Sequence, residues 1–378
     1  MPSALIIGDS LRSPELRHEV PVAIGDPFLY AEVDGRRHVA VTSFETSRIE
    51  GLGTDLQVHA LEEFDYDTLI RKGLASHEFW RELWLNACRA FGVRDAVVPV
   101  TFPLGDADHL RAAGIELSVD QPHFDARRRV KNPTELEGFR RACRAVEAGM
   151  RAGLELLRAA ERSDGQLVLD GELLTCERVK LAVEQAFGEH GAAAEEFIVS
   201  HGAQTSVGHD MGSGPIAADD VVLFDLFPRD RETGCYSDFT RTVTVGPAPD
   251  EIREYHRLCR EALDLAVGLV RPGAVGREIH AAVCEFFHEH GQPTQLHKAE
   301  GEVLRDGFYH ATGHGVGLEV HEEPGLGRLG TELVAGDVVA VEPGLYRNGY
   351  GGVRLEDLLL VTEDGCEVLT DFPYDLEL

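Results

Sequence analysis

Basic residues are scarce in this chain. Its 378 residues include 36 lysines and arginines against 66 aspartates and glutamates, for a formal net charge of -30. Because proteins hold nucleic acid through clustered lysines and arginines on the phosphates, this balance argues against a nucleic-acid partner. The basic stretch ARRRVKNP, at residues 126–133, is short enough to be an ordinary solvated surface. The acidity is spread along the chain, which favours a role in solubility over attraction of cationic peptides.

The chain also lacks the patterns of secreted and membrane proteins. Its seven cysteines are scattered without a C-x-x-C pair, which predicts reduced thiols in a cytosol. The N-terminal residues have neither the basic start nor the apolar segment of a signal peptide. No apolar run approaches the length of a membrane span. These absences predict a cytoplasmic location and no membrane partner.

The composition that remains is that of a globular protein, with 43% hydrophobic and 27% charged residues. The length suggests two domains. Strands are predicted at Ser3–Ile7 and Arg94–Val100, with a hairpin between them whose Asp34-Gly35 pair suits a type I′ turn. A helix is predicted from Tyr66 to Cys88. Strands that alternate with helices predict a small α/β domain over residues 1–128.

A second domain is predicted over residues 129–378. It opens with Asn132 and Glu135, which form a capping box around Pro133, and apolar residues then follow at helical spacing. Further helices are predicted over Leu173–Gly188, Glu251–Val270 and Gly276–His290. Two helices followed by strands, repeated once, predict an α+β domain.

Acidic residues stand inside apolar, strand-like runs of this second domain. The stretch VVLFDLFPRDRETGCYSDFTRTVTV, from Val221 to Val245, has the composition of a β-hairpin. Each of its two runs carries one acid, Asp225 and Asp238. A carboxylate in an apolar strand is costly unless it has a partner, and for either aspartate alone a salt bridge would be sufficient.

Three more titratable residues also lie in or beside short apolar runs. His314 lies in GHGVG, Glu342 in VAVEPG and Glu356 in GGVRLED. Oxygen-rich ligation with one nitrogen suits hard or borderline divalent metals. Four carboxylates exceed what one tetrahedral zinc needs, so two divalent ions fit better. Their charges would balance the four acids and leave a bridging hydroxide for chemistry.

These segments, FDL, SDFTRT, GHGVGLEVHEEP, VEPGLY and GGVRLED, together resemble the pita-bread metallopeptidases. That family includes aminopeptidase P, prolidase, methionine aminopeptidase and creatinase. The resemblance covers roughly the C-terminal two thirds of the chain and keeps all five ligand positions in order. It implies a curved antiparallel sheet with outer helices in residues 129–378, a creatinase-like N-terminal domain in residues 1–128, and a homodimer.

The resemblance also implies roles for individual residues. Asp225 would chelate one ion, Asp238 and Glu356 would bridge both, and His314 and Glu342 would complete the two sides. Glu342 would also be the general base. His209 and His321 match family histidines that contact the substrate amide and the developing oxyanion. Weaker candidates for lining the substrate pocket or orienting a ligand carboxylate are His310, His201, Tyr346, Arg354 and, beside Asp238, Thr240. Manganese is the expected metal, with cobalt, zinc and iron as alternatives.

The expected substrate is a peptide with proline at its second position. The two-domain build argues against methionine aminopeptidase, and creatinase lacks the metal ligands. An imide bond has no N–H, and the proline ring fixes φ, so ordinary peptidases handle it poorly. Prolidases often place an arginine directly after the HExP segment, where this chain has Gly325, so action on longer peptides stays open beside dipeptide cleavage. Two alternatives also stay open, a non-catalytic peptide-binding module and a hydrolase of a non-peptide amide.

Overall fold

A computed structural model describes residues 3–378 of the chain. Its contacts divide the chain into two compact units, Met1–Arg128 and Arg129–Leu378. Within the described residues, every helix is too short or too polar to cross a membrane.

The first unit is built on a six-stranded mixed sheet, in the order β4-β3-β2-β1-β5-β6. Its elements in chain order are β1 (Ser3–Gly8), α1 (Pro14–Glu19), β2 (Phe28–Val33), β3 (Arg36–Val41), α2 (Thr46–Glu50), β4 (Gln57–Ala60), a 3₁₀ turn (Leu61–Phe64), α3 (Tyr66–Lys72), α4 (Ser76–Phe91), β5 (Asp95–Val98), α5 (Leu104–Ala112), β6 (Glu116–Val119) and α6 (Gln121–Arg129). Alternate residues of β1 enter two hydrophobic clusters, Leu5 and Ile7 in one and Ala4 and Ile6 in the other, because successive strand residues point to opposite faces.

Two local predictions in this unit have different outcomes. The β2–β3 hairpin is confirmed, and Asp34 and Gly35 both have positive φ, 51° and 75°, as a type I′ turn requires. The single helix from Tyr66 to Cys88 is wrong. The chain forms α3 and α4 instead, because Gly73 takes a left-handed φ of 67° and ends the first helix.

The second unit alternates helix pairs with antiparallel strands. Its elements in chain order are α7 (Pro133–Ala159), β7 (Glu161–Ser163), β8 (Gln166–Leu169), β9 (Glu172–Leu173), α8 (Cys176–Glu189), β10 (Ala192–Ala193), β11 (Ile198–His201), a 3₁₀ turn (Gly202–Ser206), β12 (Val221–Leu226), β13 (Arg229–Asp230), β14 (Phe239–Thr244), α9 (Asp250–Leu269), α10 (Gly276–Glu289), β15 (Gly313–Gly315), β16 (Glu322–Leu326), β17 (Val338–Val341), β18 (Gly344–Arg347), β19 (Gly351–Arg354), β20 (Asp357–Val361) and β21 (Cys366–Val368). The helix predicted from Leu173 begins later, because Leu173 pairs in β9 and Thr175 caps α8.

Each helix pair packs against one sheet. Helices α7 and α8 share a core with the sheet β11-β12-β14, and α9 and α10 share one with the sheet β16-β15-β17-β20-β21. The predicted α+β class and repeated helix-pair order are therefore confirmed. Asn132 and Glu135 form the predicted capping box at the start of α7.

Glycines let α7 approach its neighbours closely. A Cβ placed on Gly149 would lie 2.3 Å from the Phe187 ring, and one on Gly153 would lie 2.6 Å from Phe224. Both phenylalanines are fully buried. The absence of side chains at these two positions therefore makes room for large aromatic groups between the helix and its neighbours.

Candidate metal centre

Asp225 and Asp238 are brought together by the antiparallel pair β12–β14. Within β12, Val222 and Phe224 point into the core shared with α7 and α8, so strand alternation turns Asp225 to the opposite face. Asp225 lies opposite Thr240 in the register. Asp238 was predicted within a strand, but β14 begins one residue later, at Phe239. The side chain of Asp238 is only 5% exposed.

The other three predicted ligands lie in or next to strands of the sheet β16-β15-β17-β20-β21. His314 is the central residue of β15 and pairs with Ala340 of β17, and Glu342 directly follows β17. Glu356 lies between β19 and β20, where its backbone N–H donates to the Thr240 carbonyl. This hydrogen bond helps to join the two sheets at the point where their acids meet.

The donor atoms converge closely enough to hold a cation. Ligand atoms of Asp238, His314 and Glu356 all lie within 4.8 Å of one another. The His314 Nε2 atom is 3.5 Å from Asp238 Oδ2 and 3.8 Å from Glu342 Oε1. The Nδ1 atom of His314 faces the Gly315 carbonyl at 3.1 Å. Since a carbonyl only accepts, Nδ1 carries the proton, and the lone pair of Nε2 points among the carboxylates.

Burial and mutual repulsion dominate the electrostatics of these acids. Burial raises the pKa of Asp238, and the carboxylates of Glu356 and Asp225 raise it further. Burial also raises the pKa of Glu356, again with help from neighbouring carboxylates. Burial raises the pKa of Glu342 to about 8. Among the cavity-lining residues that the structure describes, Arg354 is the only arginine or lysine. The donor set therefore has excess negative charge that divalent cations would balance, and its residues fit such ions.

A hydrogen-bonded chain fixes Arg354 beside these acids. Its Nη2 donates to Asp225 Oδ2 at 2.5 Å and its Nη1 to the Tyr346 hydroxyl at 2.9 Å. The Tyr346 hydroxyl lies 2.9 Å from His310 Nε2, and His310 Nδ1 lies 2.8 Å from the Ala311 carbonyl. Because the Ala311 carbonyl accepts a hydrogen bond from the protonated Nδ1, the unprotonated Nε2 accepts one from the Tyr346 hydroxyl. Burial lowers the pKa of His310 to about 3, which keeps the ring neutral.

Thr240 differs from its prediction. The resemblance implies that it orients Asp238, whereas in the structure its hydroxyl donates to Glu356 Oε2 at 2.6 Å. The reason is the register, which sets Thr240 opposite Asp225 while its carbonyl accepts from the Glu356 backbone.

A cavity of about 540 Å³ opens over the acids. Nine residues singled out from the sequence line it: His209, Asp225, Asp238, His310, His314, His321, Glu342, Arg354 and Glu356. The His321 ring meets the His314 ring edge-on, with centroids 4.2 Å apart. Tyr346 and Thr240 lie behind the lining and contact it through Arg354 and Glu356.

Sequence reasoning missed several lining residues and misplaced one histidine. The apolar part of the wall, which carried no motif, comes from Ile198, Met211, Phe227, Tyr309 and Val320. Tyr309 adjoins His310, and its hydroxyl donates to the Ser206 carbonyl at 2.8 Å. His201 is not among the lining residues. Its ring contacts Asp220 and the Ser213 carbonyl instead.

Solved structures share the fold over nearly their whole length. An Xaa-Pro dipeptidase from Bacillus anthracis superposes with a TM-score of 0.78 at 22% identity, covering 100% of this chain and 95% of that one. An X-Pro aminopeptidase from Thermotoga maritima gives a TM-score of 0.77 at 21% identity, covering 100% and 98%. With the helix pairs and the acid-rich centre, these likenesses define a protein of the pita-bread class.

Sequence comparison places the chain more narrowly. The profile of metallopeptidase family M24 matches residues 137–363, and the chain belongs to that family. An uncharacterised peptidase, YqhT, from Bacillus subtilis is 37% identical over 190 residues, which are 49% of this chain and 50% of that protein. An Xaa-Pro dipeptidase from Pyrococcus furiosus is 31% identical over 245 residues, 64% of this chain and 63% of that protein. The chain thus aligns with less than two thirds of the length of either relative.

Proposed function

We propose that the chain is a metal-dependent peptidase that hydrolyses the bond between a first residue and a following proline, in dipeptides or at the N-terminus of longer peptides. One observation carries the proposal: carboxylates from two sheets meet one imidazole lone pair in a cavity large enough for a small peptide. The names of the relatives from Pyrococcus furiosus and Bacillus anthracis point to the same bond.

Five residues would hold two divalent cations, with manganese as the expected metal: Asp225, Asp238, His314, Glu342 and Glu356. Such a pair supplies Lewis acidity and lowers the pKa of water. The four acids would match the charge of two such cations. Asp238 and Glu356 would each offer two carboxylate oxygens to these ions, whereas His314 would offer one lone pair.

Glu342 is the proposed proton acceptor. Burial raises the pKa of Glu342 in the metal-free chain, and a divalent cation beside the carboxylate would lower it again, so the proposed role as a base rests on the place of Glu342 in the cavity wall. Its carboxylate is 3.8 Å from His314 Nε2 and 3.9 Å from Arg354 Nε. Glu342 therefore lies in the cavity wall, where Arg354 limits its negative charge.

His209 and His321 are the proposed contacts to the reacting amide. Both line the cavity, and both rings are exposed to it rather than buried in the core. Their N–H groups could donate to the substrate carbonyl as charge develops on its oxygen. The apolar wall would receive the proline ring, which has no hydrogen bonds to lose.

The experiment compares Xaa-Pro dipeptides with Xaa-Pro-Yaa peptides and with Xaa-Ala controls, in added Mn²⁺ and after stripping by a chelator. Cleavage restricted to proline peptides and dependent on Mn²⁺ is expected. Asp238→Ala is expected to lose metal uptake and hydrolysis while keeping its far-UV circular dichroism. Full turnover in metal-free protein, or full activity of Asp238→Ala, would overturn the proposal. Peptide binding without cleavage would favour the non-catalytic alternative.

The homodimer and the cytoplasmic location stay predictions. Light scattering of the purified protein measures the first, and fractionation of the source cells measures the second.

A further inference from the structure

His201 makes two contacts that a neutral imidazole cannot satisfy together. At the end of β11, its Nδ1 is 2.6 Å from Asp220 Oδ2, and its Nε2 is 3.2 Å from the Ser213 carbonyl oxygen. A carboxylate and a carbonyl oxygen only accept hydrogen bonds. Both ring nitrogens must therefore donate, which makes the ring an imidazolium. The geometry therefore favours the charged form of the side chain.

These contacts lie at the base of the loop that carries His209. We call residues 202–214 the His209 loop, and three of its residues, Gly208, His209 and Met211, line the cavity. His201 precedes the loop, and Ser213 lies at its far end. A hydrogen bond between the two draws the ends of the loop together. The first half of the loop is also tied elsewhere, since the Gly352 N–H donates to Thr205 Oγ1 at 2.8 Å.

A second side chain supports the same closure. The Gln204 Oε1 atom accepts from the backbone N–H groups of His201 and Ser213, both at 3.3 Å, and its Nε2 donates to the Ser213 carbonyl at 3.0 Å. The Ser213 carbonyl therefore receives two donors. Gln204 cannot change its charge with pH, whereas His201 can. Any change of the loop closure with pH therefore depends on His201.

We propose that protonated His201 is a positioning residue that closes the base of the His209 loop and so holds His209 at the substrate cavity. This inference rests on the proposed function for the role of His209 towards substrate. When His201 loses a proton, one of its two contacts is lost, and the loop becomes freer to move. The loop would thus be closed in acid and neutral solution and looser in alkaline solution.

The charges that face His201 agree with this direction. Asp220 precedes β12, and Asp210 lies within the loop; the hydrogen bond to Asp220 is the main cause that raises the pKa of His201, and Asp210 adds to it. From α8, Lys180 donates to the Gly212 carbonyl at 2.9 Å, and Glu177 accepts from the Gly214 N–H at 3.0 Å. A raised folded-state pKa means that the contact is fully present below the ordinary histidine value. It is lost as the pH rises through the raised value.

Two variants test the inference, with one control. His201→Gln keeps one amide donor but cannot be charged, and Asp220→Asn removes the carboxylate while keeping an acceptor oxygen. The control is His290→Gln, since His290 donates to the Phe286 carbonyl at 2.8 Å outside the loop. The readouts are NMR titration of labelled imidazoles, hydrogen exchange in residues 202–214, and KM and kcat as functions of pH.

In wild type, the pKa of the His201 imidazole is expected to lie above the ordinary histidine value of about 6.5. Asp220→Asn is expected to lower that pKa. Loop amides should exchange on the order of tenfold faster in His201→Gln, the size of one lost hydrogen bond to a charged group. Its kcat/KM should fall at pH 6, and the alkaline fall of kcat/KM that we expect in wild type should be absent. His290→Gln should match wild type throughout.

A His201 ring that is neutral at pH 6, or loop exchange that is the same in wild type, His201→Gln and Asp220→Asn, would overturn the inference. The NMR and exchange readouts need no substrate. A wild-type protein that cleaves no Xaa-Pro peptide but shows both responses would therefore refute the proposed function and leave the loop closure standing.

Discussion

Replacing Arg241 by methionine should destabilise the second unit more than an average substitution. Arg241 and Asp357 are each only 2% exposed and form a salt bridge at 2.9 Å. The same guanidinium donates to the Glu356 carbonyl at 2.7 Å and to the Phe372 and Pro373 carbonyls, both at 3.0 Å. It therefore ties the C-terminal segment and the backbone of a proposed metal ligand to β14.

The magnitude follows from the acid that would be left behind. Without Arg241, the Asp357 carboxylate keeps its hydrogen bonds from Thr370 and Tyr374. It stays buried, however, without the positive charge of the guanidinium. Breaking one side of a buried ion pair costs about 3–5 kcal/mol. For a unit of this size, that loss corresponds to a fall of roughly 10 °C in the midpoint of thermal unfolding.

The assay is thermal and urea unfolding of Arg241→Met, followed by circular dichroism in the presence of Mn²⁺ and of a chelator. Arg241→Lys keeps the charge but loses the planar fork, so its loss of stability should be smaller. The double variant Arg241→Met with Asp357→Leu removes both charges and should be more stable than Arg241→Met alone. Weaker Mn²⁺ binding is also expected in Arg241→Met, because the Glu356 backbone loses a donor.

Two results would refute this reasoning. If Arg241→Met lies within about 1 kcal/mol of wild type, the buried pair does not act as argued. If the double variant is no more stable than Arg241→Met alone, the unpaired carboxylate is not the source of the destabilisation.

Three further predictions concern the cavity. Tyr346→Phe removes the hydroxyl that accepts from Arg354 and donates to His310, so steady-state hydrolysis should fall on the order of tenfold or more. Gly212→Ala should lower the free energy of unfolding by about 1–3 kcal/mol, because its φ is +78° and its Cβ would lie 1.8 Å from the Val199 carbonyl oxygen. Gly214→Ala, with a φ of +82° but nothing within 4 Å, is the control and should lose less; equal losses would contradict the steric argument. Because burial raises the pKa of Glu342 to about 8 in the metal-free chain, protons compete with metal below that pH, and calorimetry should find tighter Mn²⁺ binding at pH 8 than at pH 6.

Much of the fold and of the candidate site follows from local patterns. The type I′ turn at Asp34-Gly35 and the capping box at Asn132 and Glu135 depend on neighbours a few residues away, and both appear as predicted. The five proposed ligand residues were found because each carries its own short motif, and the structure gathers them all around one cavity. The break between α3 and α4 at Gly73 was missed because apolar periodicity continues across it.

What the sequence did not reveal depends on contacts between distant segments. Asp220 and Ser213 both bind His201 only because the loop returns to β11, and neither stands in a motif. The partner of Thr240 depends on how the two sheets are joined, which no local pattern states. The apolar wall residues such as Phe227 look like ordinary core residues until the cavity beside them is known.

The glycines of α7 have a consequence for anyone who would engineer this protein. Exchanging a helical glycine for alanine is a common route to higher thermal stability, with gains near 1 kcal/mol where the new methyl group meets no obstacle. At Gly149 and Gly153 that methyl group would enter the space of two aromatic rings. Automated design that scores helix propensity alone would choose these two sites and lose stability at both.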